Sequence, residues 1–254
     1  MIRGLLPGAV HTEETFGNGD GSTYHGLFPE EAAVVSKAVA KRQREFADVR
    51  ACARRALGRL GLPPQPLVPG HRGAPRWPEG VVGSMTHCDG YRAAAVTRAA
   101  DAAGVGIDAE PDGPLPEGVL DVISLPGERE HLRALARSRP EVCWERLLFS
   151  AKESVFKVWY PLAARELDFS EAEIAIDAAR GTFSAQLLVE GPDVNGEPLR
   201  GMTGRWAAER GLLVTAVFLG ARRTDPGAGT GADTGTGTDT GTETDTSAGT
   251  GRGR

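Results

Sequence analysis

The chain has 254 residues, 40% hydrophobic and 25% charged, with a formal net charge of −5 at pH 7; this suits a globular chain of one large domain or two small ones. No overall basicity points to nucleic acid, and no apolar run approaches a membrane span. Cys52, Cys88 and Cys143 are too widely spaced for a disulfide framework or a structural zinc site. The apolar start from Met1 to Pro7 is too short for a signal peptide, so a cytoplasmic setting is expected.

From Pro29 to Leu60 the chain is helix-rich. Val39, Phe46, Ala53, Leu57 and Leu60 recur at intervals of three, four or seven with basic residues between them, and Gly61-Leu-Pro-Pro64 stops the pattern. A Pro/Gly-rich loop leads to three strand candidates, Val81–Thr86, Tyr91–Thr97 and Gly104–Asp108. Their short connections favour antiparallel pairing. After the Pro-rich link 111–116 come helical stretches Glu128–Arg137 and Glu141–Tyr160, the second expected to end at Pro161. Strand candidates 173–177, 182–189, 203–208 and 212–219 follow, with Glu209-Arg-Gly211 as a hairpin turn. Each half is thus a helix followed by a small antiparallel sheet, an α+β duplication with an N-terminal half 1–110 and a C-terminal half 111–223. Residues 224–254 are rich in Gly and Thr, without aromatics, and are expected to be disordered. They hold Asp225, Asp233, Asp239, Glu243 and Asp245 against Arg252 and Arg254, leaving only −2 on the rest.

Two segments carry chemistry. In Gly104-Val-Gly-Ile-Asp-Ala-Glu110 the apolar residues alternate with small or polar ones, so Asp108 and Glu110 leave a strand on the same face. Two carboxylates on one face invite a divalent cation. In Phe149-Ser-Ala-Lys-Glu-Ser-Val-Phe-Lys157, Glu153 and Lys157 lie one helical turn apart with Lys152 beside them. A hard cation held by carboxylates with lysines nearby suits a phosphate ester or anhydride. Plainer alternatives exist for both: Asp108-Ala-Glu110-Pro111 as a polar strand end, and Ser150 with Glu153 as a capping box. Helical pattern already present at Trp144, Leu147 and Leu148 speaks against the cap and leaves Glu153 and Lys157 as an outward pair, either functional or an ion pair of little energetic value.

These segments, in this order and at this separation, resemble the two signature motifs of the 4′-phosphopantetheinyl transferases of the Sfp/EntD type. Lys41-Arg-Gln-Arg-Glu-Phe46, Arg50-Ala-Cys-Ala-Arg54, Gly83-Ser-Met-Thr-His-Cys88, Gly90-Tyr-Arg92 and Trp159-Tyr-Pro-Leu162 extend the resemblance from about Leu27 to about Leu219. The resemblance implies two similar halves related by a pseudo-two-fold axis with the active site in the cleft between them. It implies Mg²⁺ on Asp108, Glu110 and Glu153, with the Ala109 carbonyl as a further ligand, and coenzyme A as co-substrate. Glu153 would take the proton of an incoming serine, and Lys157 would stabilise the departing 3′,5′-ADP, with Lys152 also on the phosphates. His87, aided by Ser84 and Thr86, would contact the 3′-phosphate; Arg42, Arg50 and Arg54 would grip phosphates; Arg72 and Arg76 would lie in the loop over the adenine. The implied partners are apo acyl- or peptidyl-carrier proteins of polyketide, nonribosomal peptide, siderophore or fatty-acid synthesis, served by a monomer. Phe156 stands where such proteins often have Tyr, and Arg165-Glu-Leu-Asp-Phe169 departs from their aromatic-rich sequence. His11, His25, His71 and His131 show no ligand spacing.

Two rivals are weaker. Metal-dependent nucleases place the Glu and Lys two apart on a strand, whereas Glu153 and Lys157 are four apart in a helical pattern. A non-catalytic coenzyme A-binding module has no need of a full carboxylate set with a base.

Overall fold

Strand β1 (His11–Phe16) of the computed structural model, which describes residues 1–17 and 26–221, is almost entirely polar. It is held by its side chains as much as by its ladder. Glu14 accepts from the amino terminus (2.6 Å), the Ile2 amide (3.2 Å) and the Tyr91 hydroxyl (2.6 Å). Burial works to raise its pKa, but these donors hold the carboxyl below its ordinary value.

Helices α1 (Pro29–Val35) and α2 (Ala40–Arg59) occupy the expected helical region. Pro29 suits a first helical turn, where its missing N–H costs no bond. α2 buries Phe46, Val49, Cys52, Ala53, Ala56 and Leu57 along one side, and the chain leaves it through Gly61 in the left-handed region (φ 75°). That apolar side lies on an antiparallel sheet of order β1-β3-β2, formed by β2 (Val81–Cys88) and β3 (Tyr91–Arg98) with β1.

Strand β4 (Ala102–Pro111) does not join that sheet, although the short turn after β3 leads the sequence to suggest it. The reason is β1: both edges of β3 are already taken, in register by His11–Phe16 on one side and Val81–Cys88 on the other. β4 instead pairs with the last strand of a second antiparallel sheet. That sheet follows α3 (Val119–Ile123), α4 (Pro126–Ser138) and α5 (Trp144–Ala163), and contains β5 (Ala172–Asp177), β6 (Thr182–Leu187), β9 (Gly201–Glu209) and β10 (Leu212–Gly220) in the order β4-β10-β9-β6-β5. A separate two-residue ladder joins β7 (Asp193–Val194) to β8 (Glu197–Pro198). The β9–β10 turn is the expected hairpin, with Arg210 and Gly211 both at positive φ as the right-handed twist of the strands favours.

α5 passes through Pro161 instead of ending there. So near the end of a helix the ring removes only one hydrogen bond, and the helix closes at Ala164 (φ 50°), whose N–H donates to the Tyr160 carbonyl. Trp144, Leu147, Leu148, Ala151, Val155 and Val158 of α5 pack against Ile174, Phe183, Trp206, Leu213 and Val217 of the second sheet. The opposite face of β4, Val105, Ile107 and Ala109, packs with Tyr91, Ala93 and Ala95 of β3 and Val214 and Ala216 of β10. Met1–Arg223 is one compact unit, mixed α+β with antiparallel sheets. The expectation of disorder for 224–254 falls outside the described residues, as does His25. Among the described residues, no helix is long and apolar enough to cross a membrane.

Candidate active site

Gly104, Gly106, Asp108 and Glu110 share the face of β4 that looks toward α5. A Cβ on Gly106 would stand 2.0 Å from the Ser154 carbonyl oxygen, and one on Gly104 would stand 2.6 Å from Val158 Cγ1. The two glycines therefore let the backbone of α5 lie directly on the strand. Where the glycines end, the same face turns acidic, and α5 brings Glu153 and Lys157 to meet it. Lys157 Nζ donates to Asp108 Oδ1 (2.7 Å) and to the Ile107 carbonyl (3.0 Å). Thr86 Oγ1 donates to the same Oδ1 (3.2 Å) and accepts from the Ala109 amide (3.1 Å). Glu110 Oε2 accepts from Arg146 Nη1 (3.0 Å).

This arrangement is electrostatically unfinished. Asp108 is buried, and its Oδ2 has no hydrogen-bond partner, a costly condition for a carboxylate oxygen. Burial pushes the Glu110 carboxyl above its ordinary pKa, as does the Asp108 charge, with Arg146 pulling the other way. Burial likewise raises Glu153; Lys157 opposes the rise and Asp108 adds to it. An oxygen-only donor set with mutual repulsion and an orphaned oxygen fits a hard divalent cation. It is not preassembled as a cage: among the described residues no three ligand-type side chains group closely enough to hold a metal ion, because Lys157 and Arg146 are drawn in as counter-charges.

A second polar group adjoins the first. Arg42 Nη1 meets His87 Nε2 in a direct contact, and burial, followed by the Arg42 charge, lowers the His87 pKa. Lys157 lowers it further, so the two groups are within electrostatic reach. The Arg42 guanidinium and the ring of His87, both able to donate N–H bonds, invite an anion.

A family model described as the 4′-phosphopantetheinyl transferase N-terminal domain matches residues 30–97, and one for the 4′-phosphopantetheinyl transferase superfamily matches 104–197. The chain is 64% identical over 221 residues to the 4′-phosphopantetheinyl transferase Svp of Streptomyces mobaraensis (87% of this chain, 90% of Svp). It is 44% identical over 228 residues to PptT of Mycobacterium tuberculosis (86% and 98%), and 46% identical over 225 residues to Npt of Nocardia iowensis (85% and 99%), both also 4′-phosphopantetheinyl transferases. The chain belongs to the 4′-phosphopantetheinyl transferases.

In this transferase several expected site residues stand elsewhere. Lys152, expected on the phosphates, has its ammonium buried on Glu128 (3.0 Å) and the carbonyls of Phe169 (2.7 Å) and Ala172 (2.9 Å), which fill its three donor positions. Being one residue before Glu153, it leaves the helix about 100° away from that side chain. Ser84 and Thr86 are not beside His87 either. Alternation puts them on the opposite face of β2, where Ser84 Oγ accepts from the Ile107 amide (3.1 Å) and Thr86 holds Asp108, so the two hydroxyls join the sheets at β4. The Arg50 guanidinium is turned inward, with Nε on the Leu67 carbonyl (3.1 Å) and Cζ 3.1 Å from the Phe46 ring centroid. Burial lowers its pKa to about 10. Arg54 is engaged by the buried Glu31 (2.8 Å). Arg72, in a turn at φ 56°, pairs with Glu166 (2.7 Å) while neighbouring His71 meets the Tyr160 hydroxyl, so this loop reaches across to the end of α5 and beyond.

The capping-box alternative for Glu153 fails, since Ser150 lies in mid-helix, bonded to Thr215 (3.0 Å). Sequence reasoning missed Arg146 and Glu128. Arg146 had a signal: Arg146, Ser150, Glu153 and Lys157 recur at four, three and four residues, a single helical stripe. Glu128 had none, because its partner Lys152 is distant in sequence.

Proposed function

We propose that this transferase moves 4′-phosphopantetheine from coenzyme A to a serine of an apo acyl- or peptidyl-carrier protein, releasing 3′,5′-ADP, as a cytoplasmic monomer. On this reading the halves 1–110 and 111–223 form a pseudo-two-fold molecule with its site in the cleft between them. The family typically uses Mg²⁺, and here Asp108, Glu110 and Glu153 would hold it. Bound there, the cation would supply Lewis-acid neutralisation of the pyrophosphate.

The residues of the chain do the rest. Arg42 and His87 take the 3′-phosphate, and Arg72 lies in the loop toward the adenine. Glu153, made a better base by its raised pKa, receives the serine proton directly or through water as the serine oxygen attacks phosphorus. Lys157, one helical turn on, balances charge as the phosphoanhydride breaks and 3′,5′-ADP departs. Asp108 is kept aimed by Thr86 and Lys157. The observation that carries this reading is the joining of the two motifs through Gly104 and Gly106, which sets the buried, half-partnered Asp108 opposite Glu153 and Lys157.

The test is incubation with coenzyme A, Mg²⁺ and a panel of apo-carriers, followed by intact mass spectrometry. At least one carrier should gain a phosphopantetheine, and none should do so with chelator or with Asp108→Ala. A carrier modified equally by the Asp108→Ala protein would overturn the metal assignment.

A further inference from the structure

Arg146 makes a planar fork. Nη1 donates to Glu110 Oε2 (3.0 Å), Nε to the Gly113 carbonyl (3.2 Å) and Nη2 to the Pro114 carbonyl. Both ends of the pair are only 18% exposed. Beside it Asp112 Oδ1 accepts from the Cys143 amide (2.9 Å), so the start of α5 grips the chain leaving β4 at two points. Among the described residues no other side chain bonds Glu110. A carboxylate at a strand end, two residues from Asp108 on the same face, would otherwise swing toward water and away from its like-charged neighbour.

We infer that Arg146 is a positioning residue for the transfer: by taking Oε2 of Glu110 it holds that carboxylate in the site with Oε1 left for the divalent cation. This rests on the metal reading above. Partners of metal-bound carboxylates commonly act this way. The work requires a guanidinium, because three planar donors serve three acceptors on two segments at once, which an ammonium on a flexible stem cannot reproduce.

The test is Mn²⁺ titrated by electron paramagnetic resonance into the protein carrying coenzyme A, with coenzyme A alone as the control. It uses wild type, Arg146→Met and Arg146→Lys, each first checked for its melting temperature. Both variants should bind Mn²⁺ about tenfold more weakly or worse, with kcat reduced and KM for coenzyme A little changed at saturating metal. In a Glu110→Gln background, Arg146→Met should add nothing. Tighter Mn²⁺ binding by Arg146→Met, with wild-type binding by Arg146→Lys, would show that Arg146 acts as a bare charge and overturn the proposal. So would a lowered melting temperature with unchanged Mn²⁺ affinity, the mark of a clamp that is only structural. Wild type that takes up no Mn²⁺ beyond the control removes the metal assignment itself and the inference with it. Should the methionine variant fail to fold, the lysine variant, which keeps stem and charge, carries the same comparison.

Discussion

Glu110 and Glu153 are carboxyls that the fold holds at a cost. Burial and the Asp108 charge raise both pKa values, so folding disfavours their charged forms relative to the unfolded chain. A group whose pKa is raised on folding contributes stability below its unfolded pKa and loses it as pH rises through the folded value. Glu153→Gln should therefore raise the melting temperature at pH 7, by about 2–4 °C for each kcal/mol relieved, while abolishing transfer. The gain should vanish below about pH 4, where the wild-type carboxyl is protonated whether folded or unfolded. Differential scanning calorimetry across pH 3.5–8 checks this, and a variant less stable than wild type at pH 7 would show that Glu153 is held by bonds formed in the apo protein. The two lysines separate in the same manner. Lys157→Met keeps the stem and removes the charge that meets Asp108, so kcat should fall strongly with a modest change in KM for coenzyme A. Lys152→Met instead leaves Glu128 buried without its cation, at about 3–5 kcal/mol. Its melting temperature should fall on the order of 10 °C, with near-normal turnover in whatever stays folded. Steady-state kinetics and thermal melts on both variants decide the assignment.

At the scale of elements, the contact between β4 and α5 builds the site, and its glycines are unequal. At Gly106 an added methyl meets a backbone oxygen of Ser154, which moves only if the helix moves; at Gly104 it meets a side-chain methyl of Val158 and no backbone atom. Gly106→Ala should cost about 1–3 kcal/mol or more as overpacking, and should lower kcat beyond that loss because Glu153 and Lys157 shift from Asp108. Gly104→Ala should be milder on both counts; equal effects in melts and kinetics would mean that α5 tilts as a whole. Much of this level was legible in the chain. The 3.6-residue pattern located α2 and α5, short strand-like runs between turns located β2 and β3, alternation located β4, and Gly-x-Gly followed by Asp-x-Glu on one face already described a strand first bare, then acidic. The partner of β4 was not legible, since it depends on β1, and His11–Phe16 has too few apolar residues to advertise a strand. The place of Ser84 and Thr86 was within reach: the alternation that puts Asp108 with Glu110 also puts the two hydroxyls on the face of β2 opposite His87. The place of Lys152 was not legible, because no local pattern indicates that an ammonium will be buried on Glu128.

For the whole molecule the consequence lies in how the two matched domains share β4. By hydrogen bonding it belongs to the second sheet; by packing, Val105, Ile107 and Ala109 complete a core with Tyr91, Ala93 and Ala95 of the first. Its Ile107 and Ala109 amides are bonded by the hydroxyls of Ser84 and Thr86 on β2. A first half cut before β4 would open Tyr91, Ala93 and Ala95 to water on the side that β4 covers, losing apolar burial that the half cannot replace. A second half cut after β4 would lose the edge strand that covers β10 and the carboxylates of the site with it. The halves should therefore unfold together: calorimetry should give one transition whose van't Hoff and calorimetric enthalpies agree. Fragments 1–100 and 112–223 expressed separately should lack sharp melting on their own. Two resolved transitions in the intact protein, or a first-half fragment that melts cooperatively alone, would show that the joint at β4 couples the halves only weakly. The site would then depend on docking of two independent bodies instead of one shared core.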